Sequence, residues 1–159
     1  MSQLSSVSDV VRMYRALLDV DGPAGLGYLN KRVPHRYSAV YRLDGSTLRN
    51  EFVFDKLGEL TPEFLKEVPL TDSFCQFVIR DGAFRTANTT LDERLSGHKY
   101  QGVVGSYHGL PLVDNYGNLY GTICHFDVDK HDLDDQEFGV LKGAAKLLPI
   151  YLGRRPQVS

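Results

Sequence analysis

Apolar residues recur at helical spacing near the N-terminus, where the stripe consists of Leu4, Val7, Val11, Tyr14, Leu17 and Leu18. This period predicts an amphipathic helix over residues 4–19, which Ser5 or Ser6 would cap. Val10 and Met13 fall outside the stripe and could form a second apolar edge. The segment 21–23 then breaks the helix, and a second short helix is predicted over 24–33.

A second helical stripe lies near the C-terminus, at Phe138, Leu141, Ala145 and Leu148. Asp134 and Glu137 have the spacing of a capping box, and Leu133 and Phe138 could form a hydrophobic staple across it. Pro149 should end this helix or kink it. Residues 153–159 are expected to be a frayed tail.

Between these helices, two stretches alternate and predict a β-hairpin over 36–43 and 47–54, with its turn at 44–46. The first strand would place Tyr37, Ala39, Tyr41 and Leu43 on one face and Ser38, Val40 and Arg42 on the other. The second strand would place Leu48, Phe52 and Phe54 together on one face.

The most apolar stretch predicts a second hairpin, with strands over 104–113 and 119–128 and turn residues at 114–118. One face of its second strand would carry Tyr120, Thr122, Cys124 and Phe126, and the other Leu119, Ile123 and His125. Neither face is clearly polar, so this hairpin should lie at the centre of a sheet that is covered on both sides.

The remaining segment predicts short elements: helices over 62–67, 74–80 and 90–94, a strand over 83–88, and a loop over 96–102 that could act as a lid. The order of elements favours one α+β domain with a core over 4–152 and a mostly antiparallel sheet. The first and last helices would cover one face of this sheet, and the middle segment the other.

The composition limits the classes of partner and the compartment that the sequence favours. The net charge of −2 gives no support for nucleic acid or an anionic membrane as a partner. No apolar run reaches the roughly 20 residues of a membrane span, and the first residues do not form a secretory signal. Two cysteines do not make a disulfide framework, which indicates a cytoplasmic protein with reduced thiols.

One motif is specific. Residues 106–112 read SYHGLPL, Asp114 and Gly117 follow, and residues 121–127 read GTICHFD. Upstream, Ser73-Phe74-Cys75 and the segment 88–94 stand in the same order. This pattern resembles the signature of GAF domains, whose sheet holds a ligand pocket against the middle segment of the chain. The resemblance is strong over about residues 70–150 and extends to the first 70 only by element order.

The resemblance and the residue types together predict a site for a small molecule. The predicted lining is Phe74, Cys75, Asn88, Tyr107, His108, Cys124 and Phe126, which is aromatic with a few polar tips. Strand parity favours Tyr107, Cys124 and Phe126 for the pocket face, and it places His125 behind the sheet as a neutral imidazole with a backbone partner. The competing interpretation is that these side chains simply fill a core.

Two neighbouring polar residues are predicted to be structural. Asp92 and Arg94 are expected to form a local ion pair, and Asp127 to accept bonds from backbone amides after its strand.

No cofactor and no metal site are predicted. The histidines lack metal-binding spacings, and Cys124 and His125 are adjacent, so they point to opposite faces of a strand. A thiol nucleophile could be assembled from Cys75 with His98 or His108, but a buried free cysteine is more often a core residue.

Two enzymatic or chromophore branches of the GAF family match poorly. Free methionine-(R)-sulfoxide reductases carry cysteines before and within the loop leading to the strand that starts near Val104, and residues 96–106 here contain none. Tyr107 and Cys124 stand where that branch has carboxylates. Bilin-attaching domains have histidine after their cysteine, whereas Gln76 follows Cys75.

The sequence therefore predicts a non-enzymatic sensor that binds an unknown small molecule and lacks its own output domain. Its output would pass through a signalling protein partner or a homodimer formed by the terminal helices. The alternative is a thiol-based redox sensor or reductase that uses Cys75. A third possibility is a scaffold that has lost its ligand.

Overall fold

The computed structural model of the protein describes residues 6–59 and 66–154. Its helices are α1 (Val7–Val20), α2 (Gly22–Asn30), α3 (Cys75–Asp81) and α4 (Asp135–Arg154), and its strands are β1 (Tyr37–Asp44), β2 (Thr47–Asp55), β3 (Glu67–Pro69), β4 (Phe84–Thr86), β5 (Ser106–Val113) and β6 (Leu119–Asp127). Single turns of 3₁₀ helix cover 70–72, 89–91 and 93–95. The start of the first predicted helix, most of the helix predicted over 62–67 and the end of the tail lie outside the described residues.

The described strands form one antiparallel sheet in the order β3-β2-β1-β6-β5-β4. The hairpin of β5 and β6 lies near its centre, and β1 pairs with β6 to join the two hairpins. This arrangement confirms the predicted α+β architecture. Both outer strands, β3 and β4, have only three residues.

The two faces of the sheet carry separate apolar clusters, as expected for a sheet covered on both sides. The helix side contains α1, α2 and α4 packed on Val40 and Ile123. The cavity side contains α3 packed on Ala39 and Cys124. Val10 is only 1% exposed, so the prediction that it lies off the buried stripe of the first helix is wrong.

Two β-bulges correct the predicted faces. Glu51 is an extra residue opposite β1, so Leu48 faces the cavity side while Phe52 belongs to the helix side. Tyr120 is an extra residue opposite β5, and its ring packs on the helix side rather than beside Cys124. A bulge shifts the alternation by one residue, and hydropathy alone does not mark its position.

Helix caps follow the sequence closely. Ser6 Oγ accepts a hydrogen bond from the Asp9 amide at 3.1 Å, and Asp134 Oδ1 accepts one from the Glu137 amide at 2.8 Å. The second helix starts earlier than predicted, because Asp21 caps it and Pro23 fits its first turn. The last helix continues through Pro149 to residue 154. None of the described helices has the length and hydropathy that a membrane crossing requires.

We expect Asp134→Ala to lower the free energy of unfolding by about 1 kcal/mol, because the substitution removes the acceptor at the start of α4. Asp134→Ser keeps an oxygen in the capping position and should retain most of this stability. Urea denaturation of both variants measures the difference. Equal losses in the two variants would contradict a capping role.

Candidate functional site

A cavity of about 70 Å³ lies between the sheet and the segment that covers its cavity side. Its lining is almost entirely apolar and comprises Tyr41, Leu48, Val68, Ser73, Phe74, Cys75, Tyr100, Val104, Tyr107, Cys124 and Phe126. Most of these side chains are buried, whereas Val68, Tyr100 and Val104 are half-buried and mark the side nearest to solvent. A cavity of about 150 Å³ can hold benzene. The cavity here is smaller, so a guest of that size or above requires movement of the covering segment.

The polar tips of the cavity meet at Cys75. Its Sγ atom lies 3.2 Å from Tyr107 Oη and 3.2 Å from Thr122 Oγ1. Burial raises the pKa of the Cys75 thiol, although these hydrogen bonds oppose the rise. Burial also raises the pKa of Cys124 and of Tyr107 well above their usual values. Thiols and phenol are therefore neutral at pH 7, and this wall offers weak donors rather than charge.

Aromatic contacts fix the walls of the cavity. Phe126 stacks on Tyr37 with ring centroids 5.0 Å apart, and Phe74 meets Tyr107 edge to face at 5.5 Å. His98, in the predicted lid loop, packs its ring 4.7 Å from Phe74 and accepts a bond from the Tyr100 amide. His98 also lies 5.8 Å from the ring of Phe77, so the loop is anchored on α3, and Tyr100 reaches the cavity from it.

Five of the predicted site residues lie in this lining: Phe74, Cys75, Tyr107, Cys124 and Phe126. Asn88 does not, because it lies in a polar surface depression beside Arg94. His108 faces the helices, which corrects the prediction that it converges with its strand neighbour Tyr107. Adjacent residues on a strand cannot both reach one face.

Sequence reasoning missed six lining residues: Tyr41, Leu48, Val68, Ser73, Tyr100 and Val104. The sequence could have indicated Tyr41, since it lies on the same predicted strand face as Tyr37 and Ala39. Leu48 was hidden by the bulge in β2. Tyr100 and Val104 lie in irregular structure, where no period applies.

The predicted ion pair between Asp92 and Arg94 is present at 2.6 Å. The Arg94 guanidinium lowers the pKa of Asp92 to about 2, and it also donates to the Arg85 carbonyl oxygen at 2.7 Å. The pair therefore ties the turn at 92–95 to β4.

A cluster of histidine side chains lies on the helix side of the sheet. The rings of His108, His131 and His125 lie 5.0, 5.4 and 5.8 Å from the ring of His35, and His35 Nε2 is 3.1 Å from His108 Nδ1. Burial lowers the pKa of His35 to about 3 and that of His108 to about 4. Burial also holds the pKa of His125 well below 6.5, so these three imidazoles are neutral at pH 7.

Strand register explains how these residues meet. Ser38, His125 and His108 lie opposite one another across β1, β6 and β5. The Asn30 amide donates to Ser38 Oγ at 2.8 Å, which leaves the Ser38 hydroxyl proton for His125 Nδ1. The prediction of a buried neutral His125 behind the sheet is confirmed, but its partner is this hydroxyl rather than the backbone.

Asp127 has the structural role that the sequence predicts. Its Oδ2 accepts from the Arg36 amide at 2.8 Å and lies 3.1 Å from His131 Nε2, and its Oδ1 accepts from the Asp129 amide at 3.1 Å. Asp127, Asp129 and His131 place potential ligand atoms within 4.8 Å of one another. The hydrogen bonds to two backbone amides account for the position of the Asp127 carboxylate.

No family model matches the sequence, and no curated protein matches it either. Solved structures do resemble it. The GAF domain of an Acinetobacter phosphoenolpyruvate-protein phosphotransferase aligns over 96% of this chain and 95% of its own, with a TM-score of 0.75 and 14% identity. The free methionine-R-sulfoxide reductase from Neisseria meningitidis, solved with its substrate, aligns over 96% and 94%, with a TM-score of 0.71 and 16% identity.

A third similar structure is the phycocyanobilin-bound GAF domain of a cyanobacterial phytochrome. It aligns over 96% of both chains, with a TM-score of 0.69 and 13% identity. These proteins differ in chemistry, so the likeness concerns architecture. It agrees with the antiparallel sheet and its helical cover. The chain has the fold of GAF domains.

Proposed function

We propose that the protein is a sensory or regulatory module that binds a small, largely neutral molecule in the cavity over β5 and β6. The observation that carries this proposal is the apolar cavity between the sheet and its cover, with the Cys75 thiol and the Tyr107 hydroxyl at one wall. Apolar walls with few polar tips are typical of small-molecule sites. The bilin-bound GAF domain, which shares the fold, supports the use of this architecture for ligands.

The chemistry of the cavity favours binding over catalysis. A cysteine nucleophile needs a stabilised thiolate, which a nearby cation or imidazole provides. The Cys75 thiol forms hydrogen bonds with Tyr107, Thr122 and Ser73, none of which is a cation or an imidazole, and burial raises its pKa. Cys124 lies deeper, 3.8 Å from the Ala39 carbonyl oxygen. We therefore propose that the protein is not an enzyme.

The second candidate is a thiol-based reductase or redox sensor that uses Cys75. The fold shared with free methionine-R-sulfoxide reductases favours it, as do two buried thiols at one cavity. It predicts reduction of free methionine-(R)-sulfoxide, with loss of turnover in Cys75→Ser. The absence of cysteine from residues 96–106 weighs against this candidate.

The output and location are further proposals. We propose that the signal passes to a signalling protein or to a second copy through the terminal helices, which pack together outside the cavity. A cytoplasmic location agrees with Cys75 and Cys124, both of which are free thiols.

The proposal predicts a non-covalent adduct on the protein purified from its own host. Native mass spectrometry should show a mass that disappears on denaturation. Val104→Phe places an aromatic ring at the half-buried side of the cavity and should abolish the adduct, with little change in stability. Val113→Phe is the matched control, because Val113 is 43% exposed at the far end of β5. Cys75→Ser should keep the adduct.

Four results would contradict the proposal. An adduct that survives denaturation would indicate a modified thiol, and turnover of methionine-(R)-sulfoxide by the unmodified protein would favour the reductase. An adduct that remains in Val104→Phe would place the ligand elsewhere. If the protein shows no adduct and no compound of a metabolite library stabilises it, the interpretation as a scaffold that has lost its ligand is favoured instead.

A further inference from the structure

A groove of about 460 Å³ runs between α1 and α4, on the side of the molecule away from the cavity. Its lining combines apolar side chains, two glycines and four cations: Val7, Ser8, Val11, Arg12, Arg15, Gly139, Lys142, Gly143, Lys146 and Leu147. None of these residues belongs to the site proposed above.

Two glycines of α4 line the groove. Gly139 and Gly143 stand one turn apart on α4, and neither contributes a side chain to the surface. A Cβ atom at Gly143 would lie 2.4 Å from Val11 Cγ2, so the helices approach closely there. Val11 and Leu147 are half-buried and provide an apolar floor between the two helices.

The walls of the groove are basic. Arg12 and Arg15 rise from α1, and Lys142 and Lys146 from α4, all of them exposed. Arg12 is 3.5 Å from Asp9, but both side chains are more than half exposed, so this pair contributes little. Arg15, Lys142 and Lys146 form no ion pair with the described residues. The chain carries a net charge of −2, so this cluster opposes the overall charge.

We propose that this groove binds an acidic amphipathic helix of a partner protein. Its apolar face would lie on Val11 and Leu147, and its carboxylates would flank that face and meet the cations on both walls. A second copy that docked the same groove against itself would bring the same four cations to the contact, so the homodimer proposed above would use another part of the terminal helices. The concave apolar floor favours a peptide over a membrane surface or a phosphate backbone. The proposal does not depend on a ligand in the cavity.

The test uses a fluorescein-labelled synthetic helix with an Ala/Leu stripe flanked by glutamates, and a twin in which lysines replace the glutamates. Fluorescence anisotropy should show saturable binding of the acidic peptide only, weakening as salt rises. Lys142→Glu with Lys146→Glu should weaken binding by roughly tenfold or more, which corresponds to about 1.4 kcal/mol. Lys31→Glu with Lys130→Glu makes the same change in net charge outside the groove and should leave binding nearly unchanged.

The proposal fails if the acidic peptide does not saturate, or if both double variants weaken binding equally, since that result reports net charge alone. It also fails if phosphatidylserine vesicles or single-stranded DNA bind the groove while the peptide does not. The four substituted lysines are exposed, so we expect both double variants to keep the fold. Urea denaturation of each variant verifies this.

Discussion

Lowering the pH from 7 to 5 is expected to remove several kcal/mol of folding free energy from this protein. The cause is the imidazole cluster formed by His35, His108 and His125, which is buried on the helix side. Their pKa values are lowered in the folded chain, to about 3 for His35 and about 4 for His108, and well below 6.5 for His125. Lys56 and Arg85 add to this shift, while Asp127 and Asp132 oppose it.

The sign of the effect follows from proton binding. Below the unfolded pKa of about 6.5, the unfolded chain binds protons that the folded chain does not, so unfolding becomes more favourable as pH falls. Each imidazole contributes at most about 1.4 kcal/mol per pH unit between 6.5 and its folded pKa. Above pH 7 the contribution is constant.

Urea denaturation between pH 5 and 6.5 at constant ionic strength measures this slope, in a window above the titration of most carboxylates. His108→Gln should reduce the slope by about one proton, whatever its effect on absolute stability. His98→Gln is the matched control, because it removes an imidazole from the other face of the sheet. A stability that is flat across this window would show that the imidazoles titrate normally.

Gly121→Ala is expected to cost about 4 kcal/mol or more, or to prevent folding. A Cβ atom at this position would lie 1.8 Å from the Tyr41 carbonyl oxygen and 2.8 Å from its carbonyl carbon. Both atoms belong to the backbone of β1, which pairs with β6 at the centre of the sheet. Relief therefore requires the two strands to separate, because no side chain can rotate away.

Gly139→Ala is the matched control for the same added methyl group. Its nearest neighbour, Val7 Cγ2, would be 3.5 Å away, which is ordinary contact, and alanine favours the helix by about 1 kcal/mol over glycine. Circular dichroism and urea denaturation compare the two variants. If Gly121→Ala unfolds like the unmodified protein, the close approach of β1 to β6 is wrong.

The elements of this fold were predictable because their signals are local. The N-cap at Ser6, the cap at Asp134 and the turn at 114–118 each require only neighbouring residues. The faces of the strands were predictable only up to the bulges. Beyond Glu51 and Tyr120, the alternation is offset by one residue, and the bulge depends on pairing with a distant strand.

The candidate site was predictable in part for the same reason. Tyr107, Cys124 and Phe126 lie on regular strand, and parity assigns them to the cavity side. His108 could not share that side. It contacts His35, which lies 73 residues earlier in the chain. Nothing local indicates that approach, because it depends on how β1 and β5 both flank β6.

The two short outer strands also affect how this protein can associate. Strands β3 and β4 each have three residues, and they carry Glu67, Pro69 and Arg85. Short edges with charges and proline are poor templates for the addition of another strand, so aggregation through the sheet is disfavoured. Recruitment of a partner by β-augmentation is disfavoured for the same reason. The edges of the sheet thus protect against polymerisation and leave the helical surface for specific assembly.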